Sequence, residues 1–203
     1  MTPAGTYLIA HFNVGKVIEY NKQWDSIWSM DAPSTWGAVR LENGNTLISG
    51  NQHGYVREVN AAGAIVWEIN KDDLPGFPLY TVHGVARLSN GNTLFSNWGG
   101  FLRKEDWNKV VQVIEVTPEK KVVWALYQWK DPDLGPSSCV QVLDDGGMAF
   151  LICLARADRI NSSTYCEIVL PFSEIATGSF LRKALAEFLH LGVLSPIVRT
   201  NSK

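Results

Sequence analysis

Charge is scarce in this chain. Of its 203 residues only 19% are Asp, Glu, Lys or Arg, the net charge is −2, and no run of Lys or Arg stands out. A nucleic-acid groove or an anionic-membrane face needs a basic patch, so neither nucleic acid nor membrane is an expected partner. No continuous apolar stretch reaches the roughly 18 residues of a spanning helix. Cysteine is sparse as well: Cys139, Cys153 and Cys166 form no C-x-x-C pair and stand near no histidine cluster. The odd count excludes a fully paired set of disulfides, and the spacing argues against zinc. The three read as buried thiols, with a single bridge left open. The start, Met1-Thr-Pro-Ala-Gly, lacks the basic and apolar regions of a secretory leader. As it stands the chain is expected to stay in the cytoplasm; as a piece of a longer protein it could equally be exported.

What is present is a repeat. Gly37-Ala-Val-Arg-Leu-Glu-Asn-Gly-Asn-Thr-Leu-Ile-Ser49 aligns without gaps on Gly84-Val-Ala-Arg-Leu-Ser-Asn-Gly-Asn-Thr-Leu-Phe-Ser96. Each is an apolar strand, an Asn-Gly turn and a second apolar strand, and Asn-Gly suits a type I′ hairpin. Gly5-Thr-Tyr-Leu-Ile-Ala10 repeats Gly44-Asn-Thr-Leu-Ile-Ser49, and Val140 to Phe150 gives a fainter copy with Asp145-Gly146 at the turn. A second half recurs too: Glu19-Tyr-Asn leads to Ile27-Trp28, Glu58-Val-Asn to Val66-Trp67, and Glu115-Val-Thr to Val123-Trp124. Four strands in about forty residues is the period of a propeller blade. Hairpins in tandem exclude a doubly wound sheet, which needs helices between its strands.

The expected fold is therefore all-β, an incomplete β-propeller of tandem four-stranded antiparallel blades with a short C-terminal helical segment. Residues 1–150 hold one truncated blade, two complete blades and the start of a fourth. The blades should run over Gly5–Met30, Trp36–Ile69 and His83–Leu126, each ending on its Trp. Residues 151–203 diverge from the repeat, and Ser173 to Leu191 carries the 3, 4 apolar spacing of a helix. Trp28, Trp67 and Trp124 are expected to pack between blades, and Arg40 and Arg87, at one register, to bond across them. An open arc leaves blade faces exposed and invites self-association.

Repeat registration also points to a site. The loops between second and third strands share a rim with those joining successive blades, and the Asn-Gly turns take the opposite rim. The first rim receives His11, Trp36, Asn51, Gln52, His53, His83, Asn97 and Trp98, together with an insertion from Gly99 to Lys109. Loops on a rigid scaffold concentrate binding residues. Histidine, amide and indole groups suit a small polar or aromatic ligand, or a surface of another protein. His11, His53 and His83 have no acid at useful spacing, so no metal is expected. No acid–base pair stands out, and a non-catalytic binding role is the leading expectation.

Arg87-Leu-Ser-Asn-Gly-Asn-Thr-Leu and Val59-Asn-Ala-Ala-Gly-Ala-Ile-Val-Trp67 resemble the units of quinoprotein-like (PQQ-like) β-propeller repeat proteins, whose blades are related to those of bacterial arylsulfotransferases. The resemblance covers about Gly5 to Gly147. It implies four-stranded antiparallel blades around a central axis, often in exported bacterial proteins. His83-Gly-Val-Ala-Arg-Leu-Ser-Asn-Gly-Asn92 is similar to the arylsulfotransferase pattern His, Asp, three variable positions, Leu, Pro, Asn, Gly, Asn. That likeness makes His83 the candidate nucleophile for sulfuryl transfer, with Arg57 or Arg103 as an anion clamp. Gly84 stands where the pattern has its acid and Ser89 where it has proline. A quinone-dependent dehydrogenase would need a cofactor, a cation and an acid at the axis. No acidic pair can be assigned there, so no cofactor is expected.

Overall fold

A computed structural model describes residues 1–50, 54–127, 136–142, 148–154 and 164–170. Strands β1 (Tyr7–His11), β2 (Lys16–Tyr20) and β3 (Ser26–Asp31) form a first sheet. Strands β4 (Thr35–Arg40), β5 (Thr46–Gly50), β6 (Tyr55–Val59) and β7 (Ile65–Ile69) form a second. The third comprises β8 (Thr81–Arg87), β9 (Thr93–Trp98), β10 (Val111–Val116) and β11 (Val122–Tyr127), with a 3-10 helix, Lys104–Lys109, between β9 and β10. The last comprises β12 (Ser137–Val142), β13 (Met148–Leu154) and β14 (Thr164–Leu170). Sequential strands pair antiparallel throughout, so each sheet is a meander and the fold is that of a β-propeller.

The blades stack because their strands alternate. Ile48 and Val59 of the second blade point one way and pack with Val17, Leu8 and Trp28 of the first. Leu47 and Val56 point the other way and meet Phe95, Ile114 and Val116 of the third. Most of these side chains are fully buried, each worth roughly 1.5–3 kcal/mol of apolar transfer. A polar clasp repeats beside this core. Arg40 pairs with Glu19 at 2.6 Å and lies 4.6 Å over the Trp28 ring. Arg87 pairs with Glu58 at 2.7 Å and lies 5.3 Å over Trp67. Trp28 Nε1 donates to the Ala61 carbonyl at 3.3 Å and Trp67 Nε1 to Pro118 at 2.7 Å. The two arginines and these two tryptophans thus join blades. Each outer strand runs on past its Trp instead of stopping there.

The Asn-Gly turns differ from the expected type I′. Only the glycines, Gly44 at φ +84° and Gly91 at +87°, adopt positive φ, and Gly44 N–H donates to the Leu41 carbonyl. These are longer turns with glycine in the left-handed position, and the Asn43 and Asn90 side chains accept from Asn45 and Asn92 N–H. The boundary drawn at residue 150 falls inside β13, and pairing with β14 carries a fourth sheet to Leu170. The helix expected over Ser173 to Leu191 lies outside the described residues.

Candidate functional site

Two inner strands set the site through the same irregularity. In β4 the register shifts between Thr35 and Gly37, and in β8 between Val82 and Val85. Trp36 and His83 are the residues just before Gly37 and Gly84, at equivalent points of their blades. A bulge there turns a side chain out of the ladder. The glycines let the strands close in. A Cβ on Gly84 would sit 2.6 Å from the Val140 nitrogen, and one on Gly37 would collide with the His83 carbonyl. Ser49 Oγ donates to that carbonyl at 2.6 Å, and Gly84 N–H donates to Ser96 Oγ at 2.8 Å. The backbone under His83 is held on both sides.

The consequence is a row of rings. Phe12 and Trp36 centroids are 5.0 Å apart, Trp36 and His83 4.3 Å, His83 and Trp98 5.1 Å, and Trp98 and Phe101 6.1 Å. His83 is sandwiched between two indoles, nearly parallel to Trp98 at 19°. Trp36 is 46% exposed and Phe101 60%, so the row is open to solvent at intervals. Trp98 lies flat over Gly100, where any Cβ would strike its ring. The row borders a groove of about 1610 Å³ along β4, β8 and β12.

Burial lowers the His83 pKa from 6.5 to about 4, opposed by a hydrogen bond to the Ser138 backbone. At neutral pH the ring is uncharged. That bond favours the protonated ring, so His83 is its donor; among the described residues Nε2 has no partner, which puts the proton on Nδ1 and leaves Nε2 a bare acceptor. Trp98 Nε1 is likewise buried without a partner among the described residues. A lone acceptor and a lone donor thus sit on neighbouring rings.

Of the expected rim residues, the structure brings Trp36, His83 and Trp98 together. His11 stands apart, its Nε2 3.0 Å from the Tyr20 hydroxyl. Asn97 is fully buried: its amide donates to the Pro78 and Val111 carbonyls, and its Oδ1 accepts from Tyr80 N–H. Its side chain holds the 78–80 segment and leaves nothing to offer a ligand. Asn51, Gln52 and His53 lie outside the described residues. Arg57 is tied to Glu68 beneath the Tyr55 ring, and Arg103 to Glu105 and Asp106, so neither stands as a clamp at His83. Phe12 lies outside the expected set; Gly100 and Phe101 fall within the Gly99 to Lys109 insertion assigned to the rim, where Trp98-Gly-Gly-Phe101 sets a large ring before residues that cannot obstruct it. Among the described residues no three metal-ligating side chains converge.

No protein-family model matches the chain, and no curated protein sequence matches it. Solved structures do. The chain aligns over 82% of its length with 58% of a protein of unknown function from Bacteroides caccae, at 16% identity and a TM-score of 0.51. It aligns over 84% with 52% of a streptogramin B lyase, at 11% identity and 0.51. It aligns over 84% with 53% of a catalytically inactive virginiamycin B lyase from Staphylococcus aureus, solved with quinupristin, at 10% identity and 0.52. The chain spans between half and three-fifths of the length of these proteins. Likeness at such identity shows the fold alone, and that fold is the propeller expected from the repeat. The narrower resemblance to quinoprotein-like blades rests on the sequence motifs.

Proposed function

We propose that this chain is the blade-bearing part of a non-catalytic binding propeller whose ligand is taken by the rim around Trp36, His83 and Trp98. The observation that supports this is the ring row, with two buried nitrogens that have no partner among the described residues, beside an open groove. An uncharged imidazole flanked by indoles offers stacking and directed hydrogen bonds, the usual chemistry of a recognition site. Tryptophan fluorescence tests it: a bound ligand should shift emission in the native chain and not in the Trp36→Ala, Trp98→Phe double variant. A response that survives both changes would move the site elsewhere.

A second reading, sulfuryl transfer through His83, draws on the bare Nε2 at neutral pH. The packing at Gly84 weighs against it, because no side chain fits where the related pattern has its acid. Incubation with an aryl sulfate and a phenol should give no transfer; transfer lost in His83→Ala would promote this reading.

A further inference from the structure

Resting on the rim reading, the geometry points to the class of ligand: we propose that the row Phe12–Trp36–His83–Trp98–Phe101 is a platform for a neutral oligosaccharide. A flat aromatic ligand needs a slot between two rings. Here the rings already occupy one another's faces, at 4.3 Å for Trp36 on His83 and 5.1 Å for His83 on Trp98. What they present instead is a ridge of successive rings, most open at Phe12, Trp36 and Phe101, which are 39%, 46% and 60% exposed. A ridge of several rings suits a ligand that is itself a chain of rings, each setting its C–H groups against the parts of Phe12, Trp36 and Phe101 that remain exposed.

The polar atoms fit the same chemistry. His83 Nε2 requires a donor and Trp98 Nε1 an acceptor, and a sugar hydroxyl is both. Both atoms are covered in the free chain, so the half-exposed Trp36 ring, which stacks on His83, is the one that shifts to admit hydroxyls. Leaving a buried donor and acceptor unmade is unfavourable, and a ligand that satisfies them recovers that loss. Charge selects further. No cation belongs to the row: its only titratable ring is kept neutral by burial, and Arg40 and Arg87 are engaged by Glu19 and Glu58. An acidic sugar or a sulfate ester would find no counter-charge among these residues.

An array of neutral and acidic oligosaccharides, read by binding of the full chain, tests the proposal. At least one neutral oligosaccharide of four or more units should bind, its monosaccharide at least tenfold more weakly. Trp36→Ala and Phe101→Ala, both at exposed rings, should each weaken binding tenfold or more with the far-ultraviolet spectrum unchanged. His83→Gln, which keeps an acceptor, should retain more affinity than His83→Phe. Preference for acidic sugars, or length-independent binding, would overturn the proposal. If no oligosaccharide binds while p-nitrophenol or an aromatic amide shifts Trp36 and Trp98 fluorescence, the carbohydrate inference fails and the rim reading stands. If none of these probes acts at the rim, both fail.

Discussion

Arg87 in β8 reaches back to Glu58 in β6 of the preceding blade, with Nη2 2.7 Å from Oε2. The same guanidinium covers Trp67, which sits opposite Glu58 across the β6–β7 ladder. Arg40, Glu19 and Trp28 reproduce the set one blade earlier. A single residue thus neutralises a nearly buried carboxylate, caps an indole and fixes one blade against the next. These sites are the joints of the arc, and the ring row depends on their holding β4 and β8 in place.

Arg87→Ala leaves Glu58 charged and covered, with Asn43 and Asn45 the donors left to it among the described residues. Urea unfolding should show a loss of about 2–3 kcal/mol, less than for a wholly buried pair because both side chains keep some contact with water. The double change Arg87→Met, Glu58→Gln should recover much of that loss.

The third joint lacks its arginine. Glu115 is 5% exposed and accepts from Asn92 at 2.6 Å. Val142, paired with Met148, holds the register that Arg40 and Arg87 hold against Thr46 and Thr93. Val142→Arg should add the missing partner and raise stability by about 1 kcal/mol. An unchanged or lowered melting temperature would show that the last sheet departs from the repeat at this joint.

How much of this was legible beforehand follows from where the repeat applies. Turn, strand and clasp positions recur, so Gly44, Arg40 and Trp28 predict Gly91, Arg87 and Trp67. The ring row follows partly from registration, since Trp36 and His83 are repeat equivalents. Its outer members do not, because Phe12 and Phe101 sit in loops that differ between blades and carry no period. Asn97 looked like a rim residue for the same reason His83 did. Only the packing shows that its amide is consumed by backbone groups. The fourth sheet was obscured because Cys139 and Val142 replace the glycine and arginine that mark the other blades.

His83 gives a pH signature. Its pKa is 6.5 in a free chain and about 4 in the fold. Between these values the unfolded chain binds more protons, so stability falls as pH drops from 6.5 to 4 and levels below. The ring is only partly buried, and the expected loss is about 1–2 kcal/mol. His83→Gln should flatten this part of the profile, and the His83 ring resonance should titrate near 4. A midpoint near 6.5 would mean the ring is solvated and the stack open.

Gly84→Asp supplies the acid of the sulfotransferase-like pattern at a place where packing leaves no room for a side chain. With Val140 N only 2.6 Å from the added Cβ, the inner strands β8 and β12 must separate. A loss of about 2–3 kcal/mol is expected, without any gain of sulfuryl transfer. A stable, active Gly84→Asp chain would show that the strands can part and would restore the enzymatic reading.

The first blade predicts self-association. Tyr7, Ile9, Ile18 and Tyr20 lie on its outer face, where the second blade has Thr46, Ile48, Arg57 and Val59. In the second blade Thr46, Ile48 and Val59 are buried against the first; in the first blade the corresponding residues are half-exposed. Among the described residues the chief cover is Trp24, stacked 4.9 Å from Tyr7. Trp24 achieves this at φ +68°, in the turn position that Gly63 fills at +81°, a conformation unfavourable for a bulky side chain. Such a face, shaped to receive another blade, should draw chains together, and the sedimentation mass should rise with concentration. Ile18→Arg puts the second blade's own residue at that point, so the fold should tolerate it within about 1 kcal/mol while association weakens. Trp24→Gly should do the reverse, relaxing the turn, uncovering Tyr7 and Tyr20 and strengthening association. A native mass that stays monomeric at every concentration would mean that Trp24 alone closes the face.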